Sequence, residues 1–271
     1  MPEYTFMRRA LVVGLLVSLC AALLGVSLVL KRYSMIGDGL SRVGFGTLAI
    51  AMAFNAAPLT VSIPAVVAVA FLLLRLRENS KIKGDAAIAL ISAASLAVGV
   101  TVISLTTGMN TDVCNYMFGS ILSMKEWEVT LSIALTVTVL LLYLFFFGKI
   151  FAVTFDESFA RATGIRAGGY NMVLALLTAV ITVLGMRMMG AMLISSLLII
   201  PPLTAMRLCK KFRSVTVCSA VLSVLCFFVG LTLSFALPRG LPTGSTVVLV
   251  NVAMFLLFWL LSLLKVRRKV I

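Results

Sequence analysis

The sequence predicts an all-α polytopic membrane protein with eight or nine transmembrane helices. Three observations carry that reading. Of 271 residues, 62% are hydrophobic and only 12% charged, more apolar surface than one soluble core of this length can hide. The apolar residues gather into runs of roughly 17–22 residues, each about enough to cross ~30 Å of hydrocarbon. The basic residues fall in short connectors between these runs, as a membrane topology requires.

Nine runs are expected to be spans, near 10–30, 36–54, 57–74, 86–107, 129–147, 170–186, 190–206, 215–236 and 246–264. The first is too long for the apolar region of a signal peptide and lacks a small-residue cleavage site, so it is expected to stay in the membrane. Run 36–54 carries charges, and run 190–206 holds Pro201-Pro202, expected to break a helix near its cytoplasmic end. The whole chain, 1–271, reads as one membrane domain, because no connector is long enough to fold as a soluble unit.

Charge gives sidedness. Arg75, Arg77, Lys81 and Lys83 form one basic connector, Arg207, Lys210, Lys211 and Arg213 another, and Lys265, Arg267, Arg268 and Lys269 a third. The positive-inside rule places all three in the cytoplasm. Connector 108–128 carries Asp112, Glu126 and Glu128 against Lys125 and falls outside; connector 148–169 then falls inside. At the N-terminal end Arg8-Arg9 balances Lys31-Arg32, so charge does not choose between eight spans and nine.

Composition also excludes. The net charge of +14 is explained by topology, and no nucleic-acid partner is expected. Histidine is absent, which removes HExxH metalloproteases, Ser-His and Cys-His nucleophiles and histidine zinc sites. Cys20, Cys114, Cys209, Cys218 and Cys226 form no CxxC pair and read as small buried hydrophobes. Cys114 alone would make a poor soft-metal site. No GxxxxGK[ST] phosphate loop occurs, so any ATP hydrolysis must come from another chain.

The inside connector KIFAVTFDESFARATGIRAGGYNMV, 149–173, contains a short amphipathic helix. Phe155, Asp156 and Glu157 open it, with acids where the helix dipole favours them. Gly164 stops it as a C-cap glycine. It is either a plain solvated connector or a docking helix, with Phe159 filling a partner's groove and Glu157 and Arg161 orienting it.

FDESFARATG resembles the FDPEFARAxG coupling segment of ABC transporter permeases for zinc, manganese and iron. Three further stretches resemble that family in order and spacing. MIGDGLSRVGFGTLAIA is similar to GDALSHAxLPGVALA, NYMFGSILSMKEWEV to LFGDILxVSxxDL, and VLGMRMMGAMLISSLLIIPPLTAMRL to VGALLVSALLLLPAATARLL. The resemblance runs from about residue 10 to 265. It implies the fold of the cobalamin and siderophore importers and a multi-pass place in a prokaryotic cell membrane. The implied partners are a second copy of the chain, a cytoplasmic ABC ATPase and an extracytoplasmic metal-binding protein. The chain itself would bind no cofactor; the ATPase would use ATP and the cargo would be a divalent metal. Phe155, Asp156, Glu157, Phe159, Arg161 and Gly164, within about 155–164, would couple to that ATPase.

Asp38 is expected to be the only acid within or near a span. Asp38 and Arg42 share a helix face, with Ser41 beside them. They form either an intrahelical ion pair or part of a cation path, with Asp38 as a transient ligand. The family pattern places Asp and His four apart. Here Arg42 replaces the histidine, and guanidinium offers no lone pair to a metal. The expected outcomes are a weaker oxygen-based site favouring manganese or iron, a path without a tight site, or a poorly active permease.

Gly37, Gly39, Gly44 and Gly46 flank this site as packing points or a gating hinge. Met186, Met188, Met189 and Met192, near Arg187, read as packing more than as soft ligands. Ser195 and Ser196 are expected to bond between helices. Alternatives to a metal importer are a same-fold importer of a chelated metal, siderophore or other small solute, an ion-coupled secondary transporter, and an intramembrane enzyme. The last lacks a base and a second acid.

Overall fold

The computed structural model describes residues 5–54, 56–79, 84–106, 126–236 and 242–267. These residues form helices α1 Thr5–Leu30, α2 Ser34–Ala53, α3 Pro58–Asn79, α4 Gly84–Thr106, α5 Glu126–Phe155, α6 Glu157–Ala162, α7 Ala167–Met189, α8 Ala191–Leu208, α9 Phe212–Ala236 and α10 Thr243–Arg267. No strand occurs among the described residues. Residues 108–125 of the expected outer connector, with Cys114 and most of NYMFGSILSMKEWEV, lie outside the described residues.

α1 runs through the middle of the bundle, against α5, α7, α8 and α9. Val13, Val17, Cys20 and Leu24 on it are fully enclosed. Hydroxyls tie it to α9: Ser223 Oγ donates to the Ser18 carbonyl at 2.9 Å and Ser219 Oγ to the Ala22 carbonyl at 3.4 Å. The outer faces of α4, α5 and α10 present Leu90, Leu105, Leu141, Phe145, Leu249 and Leu260 to the surroundings. That apolar exterior is what hydrocarbon solvates.

Eight described helices are long and apolar enough to cross a membrane, and α2 is not among them. Its Asp38, Arg42 and glycines dilute the hydropathy. Yet α2 is packed on several sides, by α3, α4, α7 and α8. Glycine makes that enclosure possible. A Cβ on Gly37 would meet Leu198 Cδ1 at 2.7 Å, and one on Gly39 would meet Ile88 Cγ2 at 2.6 Å. One on Gly44 would meet Met186 Cε at 2.9 Å, and one on Gly46 the Ser95 carbonyl oxygen at 2.5 Å. Small residues replace hydropathy here, letting helices touch at backbone range.

The end of α1 joins the α6 end of the bundle, since Lys31 Nζ bonds Asn171 Oδ1 and Asn171 Nδ2 bonds Glu157. The end of α3 is there too, because Arg75 lines one cleft with Gly168 and Met172 of α7. Helix α2 therefore starts at the α6 end, and α3 returns to it, so α2 runs the height of the bundle despite its low hydropathy.

Two expectations are corrected. The helix expected to end near 147 continues to Phe155. Phe147, Phe151 and Phe155 recur every fourth residue and stack around Phe212, with centroids 5.4, 4.9 and 5.8 Å from it. Each such ring pair adds about 0.5–1.5 kcal/mol beyond area burial. The Pro201-Pro202 pair does not break α8, which runs unbroken to Leu208. Pro202 removes the N–H that would serve the Leu198 carbonyl. That carbonyl instead faces Gly25 of α1, where a Cβ would collide with it. The freed acceptor is absorbed by close approach of a glycine backbone.

Candidate functional site

Two places gather the expected site residues. The first is on α2. Arg42 Nε donates to Asp38 Oδ2 at 3.1 Å, with side-chain exposures of 43% and 36%. Ser41 is buried and its Oγ donates to the Asp38 carbonyl at 2.7 Å. Ser195 of α8 reaches across: its Oγ lies 3.4 Å from Asp38 Oδ1 and 3.4 Å from Ser41 Oγ. It also donates to the Ala191 carbonyl at 2.9 Å. Ser195 has one hydroxyl proton, so the shorter contact to Ala191 leaves Asp38 Oδ1 weakly held. The result is a set of hard oxygens between α2 and α8, with one guanidinium on its rim. Among the described residues no three His, Cys, Asp or Glu side chains come together. The expected bond for Ser196 across helices is not made by its donor, which goes to the Leu193 carbonyl at 2.8 Å in its own helix.

The second place is α6. Asp156 is extended at φ −145° and accepts the Phe159 N–H at 2.9 Å, a side-chain N-cap. At the other end Gly164 takes φ +83°. Its N–H donates to the Arg161 carbonyl at 3.1 Å, and the Ile165 N–H to the Ala160 carbonyl at 3.0 Å. That pair of bonds is a Schellman closure. Ile165 then packs on Val153, Ala160 and Ala167. Both ends of a six-residue helix are thus fixed by local chemistry. Glu157 pairs with Arg161 at 2.6 Å. Burial alone would raise the Glu157 carboxyl, but bonds from Arg161 and Asn171 and the charges of Lys31 and Arg161 outweigh it and hold the pKa below the ordinary value. Phe155 and Phe159 are 60% and 64% exposed, and Asp156 is exposed as well.

A further ionisable pair corrects the expectation that Asp38 is the only acid in or near a span. Glu128, placed by charge in the outer connector, is 2% exposed on α5, with Oε1 3.5 Å from Arg187 Nη2 on α7. Its signal was hidden because the apolar run begins only after it, while Arg187 sits just past the end of another run, 59 residues on. Met186, Met188 and Met189 are buried beside Arg187, whereas Met192 is half-exposed. Two of them fill space opposite glycines, Met186 against Gly44 and Met189 against Gly14.

A helical bundle of this kind, with apolar flanks and a capped, exposed connector helix, is a multi-pass membrane protein. The chain belongs to the ABC 3 transport family, which matches residues 3–262. It is similar to a Streptococcus gordonii protein named manganese import system permease protein ScaB, 26% identical over 96% of this chain and 92% of that one. It is also similar to a Thermotoga maritima protein named probable metal transport system membrane protein, 31% identical over 94% of this chain and 89% of that one. Among solved structures, PsaBC from Streptococcus pneumoniae in complex with Fab superposes at a TM-score of 0.84 and 26% identity, covering 95% of this chain and 92% of the other. An inward-facing metal-chelate type ABC transporter shares the fold at 0.71 and 18% identity.

Proposed function

We propose that the chain is the membrane-spanning permease of an ATP-binding cassette importer for a divalent metal ion, with Asp38 a transient contact for the cargo. The observation that carries this is the enclosure of α2. It is too polar for a lipid-facing span, yet glycines let α3, α4, α7 and α8 close around it and leave the Asp38 carboxylate half-exposed beside Ser41 and Ser195. The donors are hard oxygens, which suit manganese or iron(II) better than zinc, a metal that prefers nitrogen and sulfur. The manganese named in several relatives agrees with that preference.

The remaining roles follow from this reading. Arg42 holds Asp38 until the cation arrives, then yields. Phe155 at the end of α5 and Phe159 of α6 enter a groove of a separate cytoplasmic ATPase, with Asp156 and Gly164 fixing the short helix and Glu157 and Arg161 orienting it. A second copy of the chain completes the path, and an extracytoplasmic metal-binding protein delivers the ion. The test is metal content in a strain lacking the chain, re-expressing wild type or Asp38→Asn. The reading expects one divalent metal to fall in the deletion strain, return with wild type, and stay low with Asp38→Asn. Equal manganese, iron and zinc in all strains would contradict it.

A further inference from the structure

The junction between α1 and α2 is built at a conformational cost. Arg32 holds φ at +59°, a left-handed position that glycine takes more readily. The turn is closed by the Arg32 N–H on the Val29 carbonyl at 3.0 Å and the Tyr33 N–H on the Leu28 carbonyl at 2.7 Å. Strain of this kind persists where surrounding contacts impose it. Lys31, at the apex, makes one such contact, bonding Asn171 Oδ1 across 140 residues of sequence.

Asn171 is 5% exposed and faces a charge at each end of its amide. The acceptor end takes the Lys31 ammonium. The donor end gives Nδ2–H to Glu157 Oε2 at 3.3 Å, and Glu157 Oε1 takes Arg161 Nη2 at 2.6 Å. The amide has one orientation that satisfies both neighbours, because only its oxygen can meet an ammonium and only its NH₂ a carboxylate. A chain of four side chains therefore runs from α6, through the first turns of α7, to Lys31 in the turn that joins α1 to α2. Asp38 stands in the first turns of that same α2.

We infer that Lys31 and Asn171 are positioning residues for energy coupling, transmitting a displacement of α6 to the head of the helix that carries Asp38. The inference rests on the reading of α6 as the ATPase-docking helix. Charge-assisted hydrogen bonds are directional, so a shift of Glu157 is followed by Asn171 and Lys31 or breaks the chain. The backbone of α7 offers a second route from α6 into the bundle. What the polar chain adds is a link to the turn that leads into α2.

The test uses the chain reconstituted in proteoliposomes with its ATPase and binding protein, with manganese as the probe. ATP hydrolysis and manganese uptake are read together for wild type, Lys31→Met, Asn171→Leu, the double variant and Lys31→Arg. The inference expects Lys31→Met and Asn171→Leu to keep the ATPase bound and hydrolysing while manganese carried per ATP falls about five-fold or more. The double variant should fall no further than either single, as one chain broken at two links. Lys31→Arg should restore most of the ratio. A merely structural role would lower both rates together at an unchanged ratio, and that result would overturn the inference. Lys31 is only partly buried, so Lys31→Met decides the matter even where Asn171→Leu does not fold. Wild type that hydrolyses ATP without taking up manganese, iron or zinc would overturn the importer reading and this inference with it. Unchanged ratios beside a working wild type would overturn this inference alone.

Discussion

Arg42 donates to Asp38 Oδ2 across one turn of α2 at 3.1 Å, so the carboxylate proposed to meet the cargo already carries a guanidinium. The pair is more than a third exposed on both sides, and an i, i+4 pair of that kind contributes about 0.5 kcal/mol or less. A guanidinium held so weakly is displaced by a divalent ion at little cost, but it still repels one on approach. Arg42→His should remove the repulsion and add a nitrogen donor. The expected outcome is a several-fold rise in accumulated zinc or manganese, measured on whole cells. Unchanged accumulation of both metals would show that Arg42 does not limit the path.

The contact between Gly25 and the Leu198 carbonyl predicts a packing effect. Backbone, unlike a side-chain tip, cannot swing away from an added methyl group. Gly25→Ala should push α1 from α8 and destabilise by about 1–3 kcal/mol, seen as a lower melting temperature in detergent. Gly148→Ala meets open space at its Cβ and is the control, expected to leave the melting temperature unchanged or slightly raised.

Glu128 and Arg187 predict a non-additive pair. Neutralising one member leaves the other buried, at about 3–5 kcal/mol. Glu128→Gln or Arg187→Met alone should therefore lower stability sharply. Replacing both by methionine should recover most of the loss, because an apolar pair needs no partner. A double variant as unstable as the sum of the singles would mean that the two side chains act through separate neighbours.

Glu157 predicts the acid response of the α6 end of the bundle. Its pKa is lower in the folded protein than in the unfolded chain. A depressed carboxylate adds stability above its unfolded value of about 4.3 and loses it as pH falls through the lower folded value. Proteolysis between α6 and α7 should therefore be constant from neutral pH to about 5, and rise only under stronger acid. Glu157→Gln should be cut more readily at neutral pH and show less of that acid-dependent rise. Accelerated cleavage of wild type already near pH 6 would contradict the assignment.

Much of this architecture is legible in local pattern. Long apolar runs give the spans, because hydropathy is additive along the chain. The Asp156 cap and the Gly164 closure of α6 follow from residues within a few positions of each other. Asp38 and Arg42 are readable for the same reason. What escaped the sequence depends on neighbours far along the chain. Glu128 looked solvated until α7 brought Arg187 to it. Pro202 looked like a helix break until Gly25 met the carbonyl it frees. The depth of α2 was undecided by charge, because Arg8-Arg9 and Lys31-Arg32 balance, and only the bond from Lys31 to Asn171 puts its start at the α6 end. The extension of α5 to Phe155 was visible in the four-residue Phe spacing, but Phe212, which justifies it, is far away.

The most direct measurement of the central claim is ATP-driven uptake of radiolabelled manganese into proteoliposomes holding this chain with its ATPase and binding protein. The account predicts uptake that requires ATP, is lost with Asp38→Asn, and leaves basal ATP hydrolysis by that variant intact. Manganese entry that is equal with and without ATP, or unchanged by Asp38→Asn, would contradict it.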